Sequence, residues 1–193
     1  MGVLPISPAR PTPAALDALV ARHRGAAPTY AEVGATAGPL PDGYRHRRRT
    51  VDLGRGDAVF AAAAAGLRRW EAHRRSGAVV HPPGAAVAEG QVVAVAVRVA
   101  LAWVTVVNRV VGVTTAPGLS GFAYGTLAHH VVEGEEGFSV RLDEAGTVRF
   151  EVVSFTRPRG RVLRLAGPVV HPLDDRLVRR YLRGMQRHVA GTA

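Results

Sequence analysis

The residues best able to do chemistry in this chain cluster in one stretch. Phe122-Ala-Tyr-Gly-Thr-Leu127 is followed by His129 and His130, and then by Gly134-Glu-Glu-Gly-Phe138. The pattern reads as a strand, a short polar loop and a second strand. A histidine titrates near neutrality, and a carboxylate beside it can orient its ring and exchange protons with it. His130 with Glu135 or Glu136 is therefore the expected acid–base group. Alternation along the second strand puts Glu136 on the face of Phe138, Val140 and Leu142, an apolar face where a carboxylate would be desolvated. Tyr124 is expected to bind developing negative charge beside the pair. The competing reading is a hairpin with a solvated carboxylate and a structural hydrogen bond.

Other chemistries lack their residues. There is no cysteine, which removes disulfides, thiolate metal sites and cysteine nucleophiles. Adjacent His129 and His130 point to opposite faces of an extended segment, and no spaced histidine pair supports a metal site. No phosphate loop, dinucleotide fingerprint or Gly-x-Ser-x-Gly elbow is present, so no cofactor is expected. All 25 basic residues are arginine and the net charge is +10. An Ala-, Val- and Arg-rich composition also fits a GC-rich bacterial genome, so the charge has an origin besides a polyanionic partner. Aromatic side chains do not interleave with the arginines of Arg45–Arg49, as base stacking would require, so specific nucleic-acid binding is not expected. The apolar run Val92 to Val113 contains Arg98, Asn108 and Arg109, which reads as two buried strands and not a membrane span. The first residues do not form a secretory signal, so a cytoplasmic protein is expected.

The elements that must position these residues follow from periodicity. Thr12-Pro13 caps a short helix through Leu16, Leu19 and Val20. A Pro- and Gly-rich loop leads to a basic strand, Tyr44 to Leu53. A helix capped by Asp57 is expected to run to about Arg75, with Gly77 as its stop. Its apolar stripe is Phe60, Ala63, Ala64, Leu67 and Trp70. Strands follow at Val79, Gln91 to Val99, Trp103 to Thr115, Leu119 to Leu127, Glu136 to Leu142 and Thr147 to Thr156, with a turn at Asp143-Glu-Ala-Gly146. The tail from Arg161 is expected to be helical, interrupted around Pro168 and Pro172, with Asp174 and Asp175 in its first turn. Its stripe is Leu173, Leu177, Val178, Tyr181, Leu182, Met185 and Val189. Hairpin-length connections require antiparallel pairing. The expected fold is thus α+β: a curved antiparallel sheet wrapped around a long C-terminal helix, helices on one face, with an internal cavity. Residues 1–28 form an extension with a short helix, and residues 29–190 one domain.

The ordered motifs Thr29-Tyr-Ala-Glu-Val-Gly-Ala-Thr36, Leu40-Pro-Asp-Gly-Tyr44, Gly54-Arg-Gly-Asp57, Trp70-Glu-Ala-His73, Gly121 to Leu127, Gly134-Glu-Glu136 with Phe138, and Arg179-Arg-Tyr-Leu-Arg183 resemble an uncharacterised bacterial and plant family, that of unknown-function domain nineteen-ninety. The resemblance implies a distant relation to the helix-grip group: START lipid-binding domains, birch-pollen-allergen proteins and aromatic polyketide cyclases. It transfers no activity. The family's central loop reads Gly-Thr-Leu-Pro-Gly-His-Pro-Glu. Here His130 keeps the histidine, while Ala128, His129, Val131 and Val132 replace its neighbours, which implies a more strand-like loop.

The expected function is a pocket for a small apolar or aromatic molecule, with acid–base catalysis of cyclisation, dehydration, isomerisation or hydrolysis. The alternative is a non-catalytic carrier of such a ligand. A monomer or homodimer would serve either. Catalytic candidates are His130, Glu136 and Tyr124. Ligand-binding candidates are Glu135, Trp70, His73, Trp103, Arg109, Phe122, Phe138, Phe150 and Tyr181. Each has a plainer role: packing for the aromatics, a helix-end charge for His73, a surface position for Arg109. Alternation does not fix which face Arg98 and Arg109 occupy.

Overall fold

Local sequence signals account for the start of the chain. A computed structural model describes residues 6–159 and 167–192, with side chains in the second stretch from residue 175 onward. Strand β1 (Ile6–Ser7) precedes helix α1 (Pro13–His23), whose N-cap Thr12 accepts a hydrogen bond from the Ala15 amide at 3.3 Å. A single 3-10 turn (Ala35–Ala37) leads to β2 (Arg45–Arg55). Helices α2 (Asp57–Arg68) and α3 (Glu71–Arg75) then precede β3 (Val79–His81), β4 (Val92–Val99), β5 (Ala102–Ala116), β6 (Leu119–Thr126), β7 (Val132–Leu142) and β8 (Thr147–Pro158). Helix α4 (Gly167–Ala190) closes the chain.

The strands form one antiparallel sheet in the order β2-β8-β7-β6-β5-β4-β3, with β1 paired to β5. This is the helix-grip arrangement, an antiparallel sheet packed against a long C-terminal helix. Its main core joins Val93, Val95, Val110, Phe122, Phe138, Phe150 and Val152 from the sheet to Leu67, Trp70, Val178, Tyr181 and Met185 from the helices.

Three expectations are corrected. The helix after Asp57 does not run unbroken to Arg75. Trp70 adopts a left-handed backbone conformation (φ 63°) between α2 and α3, and its fully buried indole packs edge-on against Phe122, 4.8 Å between ring centres. Left-handed backbone costs a bulky residue about 1–2 kcal/mol, less than the roughly 3 kcal/mol that burying a large side chain returns. The helices also do not all lie on one face. Leu16 of α1 packs against Val92, Ala94 and Val107 on the far side of the sheet. This double cover explains why β4 reads as continuously apolar. Finally, α4 is continuous across Pro168 and Pro172. The side chains of Leu173 and Asp174, and the segment Arg161 to Ala166, lie outside the described residues.

Candidate functional site

Register places a polar row on the sheet face that looks toward α4. Arg47 of β2 lies opposite Ser154 of β8, Ser154 opposite Glu136 of β7, and Glu136 opposite Tyr124 of β6. Directly paired residues share a face, so all four point to the same side. A cavity of about 310 Å³ opens between this row, the β4–β5 hairpin and α4. Its wall includes Val95, Val97, Val104 and Val106 from the hairpin, and Leu177 and Tyr181 from α4. His130 reaches it from the loop before β7.

Tyr124 is the hub of the buried hydrogen bonding. Its hydroxyl donates to Glu136 Oε2 at 2.7 Å and lies 3.3 Å from His73 Nε2. Tyr181 also bonds to it. Burial first, and the charge of Glu136 second, raise the Tyr124 pKa well above the ordinary phenol value. Tyr124 is therefore a hydrogen-bond donor and not a base. Since its proton is directed to Glu136, His73 Nε2 must be the nitrogen that carries hydrogen, an assignment made from the network. His73 Nδ1, the bare nitrogen, has no partner. Burial holds the His73 imidazole neutral by pushing its pKa down to about 3.

His130 does not gain the carboxylate partner expected for it. The Val132 amide donates to its Nδ1 at 3.1 Å, which leaves hydrogen on Nε2. Its ring is half-buried by area yet enclosed by the cavity wall, and this desolvation pushes its pKa down to about 3. The residue is a neutral donor at physiological pH.

Glu135 points to the opposite face, as strand alternation requires. Its carboxylate accepts from Tyr30 Oη at 2.7 Å, from the Gly34 amide at 2.7 Å, from the Thr36 amide at 2.9 Å and from the Thr36 hydroxyl. Every bond goes to the 30–36 loop, so this carboxylate is spent on fixing that loop, although Glu135 itself also borders the cavity. The structure brings His130, Glu136, Tyr124 and Tyr181 together on the cavity wall. Trp70, His73, Phe122, Phe138 and Phe150 instead form the aromatic core beside it. Trp103 and Arg109 lie on the other face: Arg10 sits over the Trp103 ring at 5.5 Å, and Arg109 donates to the carbonyls of Gly90, Arg24 and Ala26. Both leave the site because their strand parity matches Val107, which packs under α1.

Several polar wall residues escaped the sequence reading, among them Arg47, Asn108 and Ser154. Arg47 is buried and donates to Asp175 Oδ1 at 2.7 Å. Asn108 and Ser154 are 1% and 2% exposed, and Asn108 Oδ1 and Ser154 Oγ lack hydrogen-bond partners. The signal for Asn108 was its place as the lone amide in a valine run. Among the described residues, no group of three or more histidine and carboxylate side chains could hold a metal ion, and no helix is long and apolar enough to cross a membrane.

Similar proteins agree with this architecture. The model of a domain of unknown function, DUF1990, matches residues 29–184. A UPF0548 protein of Deinococcus radiodurans is 36% identical over 190 residues, covering 92% of this chain and 95% of its own. Among solved structures, a hypothetical protein of Helicobacter pylori superimposes with a TM-score of 0.58 at 12% identity, over 86% of this chain and 96% of its own. The ZhuI aromatase/cyclase of Streptomyces sp. R1128 does so with a TM-score of 0.54 at 18% identity, over 76% and 94%. At such identities the likeness establishes fold alone.

Proposed function

Starting from a chain that belongs to the DUF1990 family, we propose that it binds a small, largely apolar molecule in the cavity under α4 and acts on it by acid–base catalysis. The observation that carries this reading is the 2.7 Å bond from Tyr124 to Glu136 on the wall of an otherwise valine-rich cavity. An acceptor carboxylate on the half-buried cavity wall, held by a phenol that stays protonated, is poised to take a proton from a bound molecule.

Glu136 removes a proton from a carbon or oxygen of the ligand and becomes a carboxylic acid. Its new O–H then donates to Tyr124, which frees the Tyr124 hydrogen to turn toward the oxyanion left on the ligand. His130 supplies a second neutral donor from Nε2. Glu136 returns the proton to another atom of the ligand in an isomerisation, or to a departing hydroxyl in a dehydration. This sequence needs no redox step. A cyclase among the fold neighbours is compatible with such chemistry by analogy only.

The second reading is a non-catalytic carrier. It is favoured by the extent to which Tyr124 is already occupied by Glu136, His73 and Tyr181. Native mass spectrometry of the purified protein, followed by turnover assays on the molecule it retains, separates the two. For an enzyme, Glu136→Gln and Tyr124→Phe lower turnover by at least about a hundredfold while affinity stays within a few-fold. Full turnover in Glu136→Gln would remove that carboxylate from the mechanism. Binding with no conversion by the unmodified protein would leave the carrier.

A further inference from the structure

The cavity changes character with depth, and among the described residues the charges at its mouth lack counter-ions. Its exposed lining residues include Arg176 and Arg180 of α4, whereas the Arg98 side chain shares the far face with its register partner Trp103. Neither rim arginine forms an ion pair among the described residues. Arg180 Nη1 donates to the Arg98 backbone carbonyl at 3.4 Å, joining α4 to the end of β4. The nearby acidic group, Asp175, is already engaged by Arg45 and Arg47.

Beneath the mouth the β4–β5 side of the wall is hydrocarbon. The β4–β5 register sets Val97 opposite Val104 and Val95 opposite Val106, two valine rungs that lead inward from the hairpin tip. Leu177 faces them from α4, one position after Arg176. The next rung carries Asn108. From Val104 to Asn108 is four residues of strand, about 13 Å. At that depth Asn108 Oδ1 lacks a partner, an uncommon state for a buried amide. Paired arginine forks suit carboxylate and phosphate alike.

We propose that the cavity takes an amphiphilic anion: a carboxylate or phosphate between Arg176 and Arg180, an apolar body along the two valine rungs, and a hydrogen-bonding end at Asn108. This rests on the small-molecule pocket proposed above and names the class of molecule it holds. The arginines act as the recognition element at the rim, and the valines set the width of the body.

Calorimetric titration of the full chain with decanoate, decyl phosphate and decanol at low salt tests it. At least one of the anions binds about tenfold or more tightly than decanol, and the advantage shrinks as salt is added. Whichever anion binds more tightly identifies the head group as carboxylate or phosphate. The Arg176→Gln/Arg180→Gln double variant, changed only at exposed positions, loses the preference while keeping decanol affinity within about twofold. ω-Hydroxydecanoate binds more tightly than decanoate to the unmodified protein but not to Asn108→Leu. Equal affinity for decanol and both anions, or a preference that survives in the double variant, overturns the anion site with the pocket intact. Equal affinity for ω-hydroxydecanoate and decanoate in the unmodified protein overturns the contact at Asn108. Failure of all the probes to bind overturns the pocket reading as well.

Discussion

Two adjacent carboxylates and a buried histidine end in different states because their surroundings differ. Glu135 and Glu136 are neighbours, yet one accepts four bonds from the 30–36 loop and the other faces the cavity. His73 is held neutral by burial alone. Its folded pKa of about 3 lies below the unfolded value of about 6.5. The unfolded chain therefore binds the extra proton, and folding stability falls as pH drops through 6.5 until about 3. One such group contributes a slope of about 1.4 kcal/mol per pH unit. Between pH 7 and pH 5 the His73→Gln variant should lose about 2 kcal/mol less stability than the parent, as read by urea unfolding at both pH values. Equal losses would mean that His73 titrates normally.

At the scale of elements, the crossing of α4 over α3 depends on a missing side chain. A Cβ on Gly184 would lie 2.5 Å from the Ala72 carbonyl oxygen, a backbone atom that cannot swing aside. Alanine is the better helix former by about 1 kcal/mol. Displacing a packed helix costs typically 1–3 kcal/mol, so the clash outweighs the propensity. Gly184→Ala is expected to lower stability by about 1–2 kcal/mol, measurable as a fall in denaturation midpoint. A rise in midpoint would show that α4 can shift freely. Since α4 also carries Tyr181, Leu177 and the two rim arginines, the same change should weaken decanoate binding.

For the whole molecule, the net charge of +10 is carried by arginines spread over several elements. Many are paired locally: Arg48 with Glu151 at 2.7 Å, Arg149 with Asp52 and Asp143, Arg47 with Asp175. Such a charge attracts any polyanion weakly and without sequence preference. In fluorescence anisotropy with a labelled DNA duplex, retention is expected at low salt and loss by about 0.15 M. Tight retention at that salt would instead support a polyanion-binding protein.

Much of this was legible in the chain itself, and the reason is local. Period-two alternation puts Glu136 with Phe138 and Val140. Thr12-Pro13 starts α1, and Asp143-Glu-Ala-Gly146 turns β7 into β8. Hairpin-length connections left an antiparallel sheet, with a long amphipathic helix to cover it. The family motifs added the helix-grip expectation. What tertiary structure alone decided are matters of which surface meets which. Strand parity divides residues into two sets without saying which set is covered by what. Only the docking of α1 showed that Arg109 and Trp103 belong to the far face. The left-handed break at Trp70 depends on the aromatic pocket that receives its ring. The neutral state of His130 depends on its burial against the surrounding wall. Arg47 comes from a strand far in sequence from the consecutive strands that carry Tyr124, Glu136 and Ser154, and no local rule could align it with them before the sheet set their register.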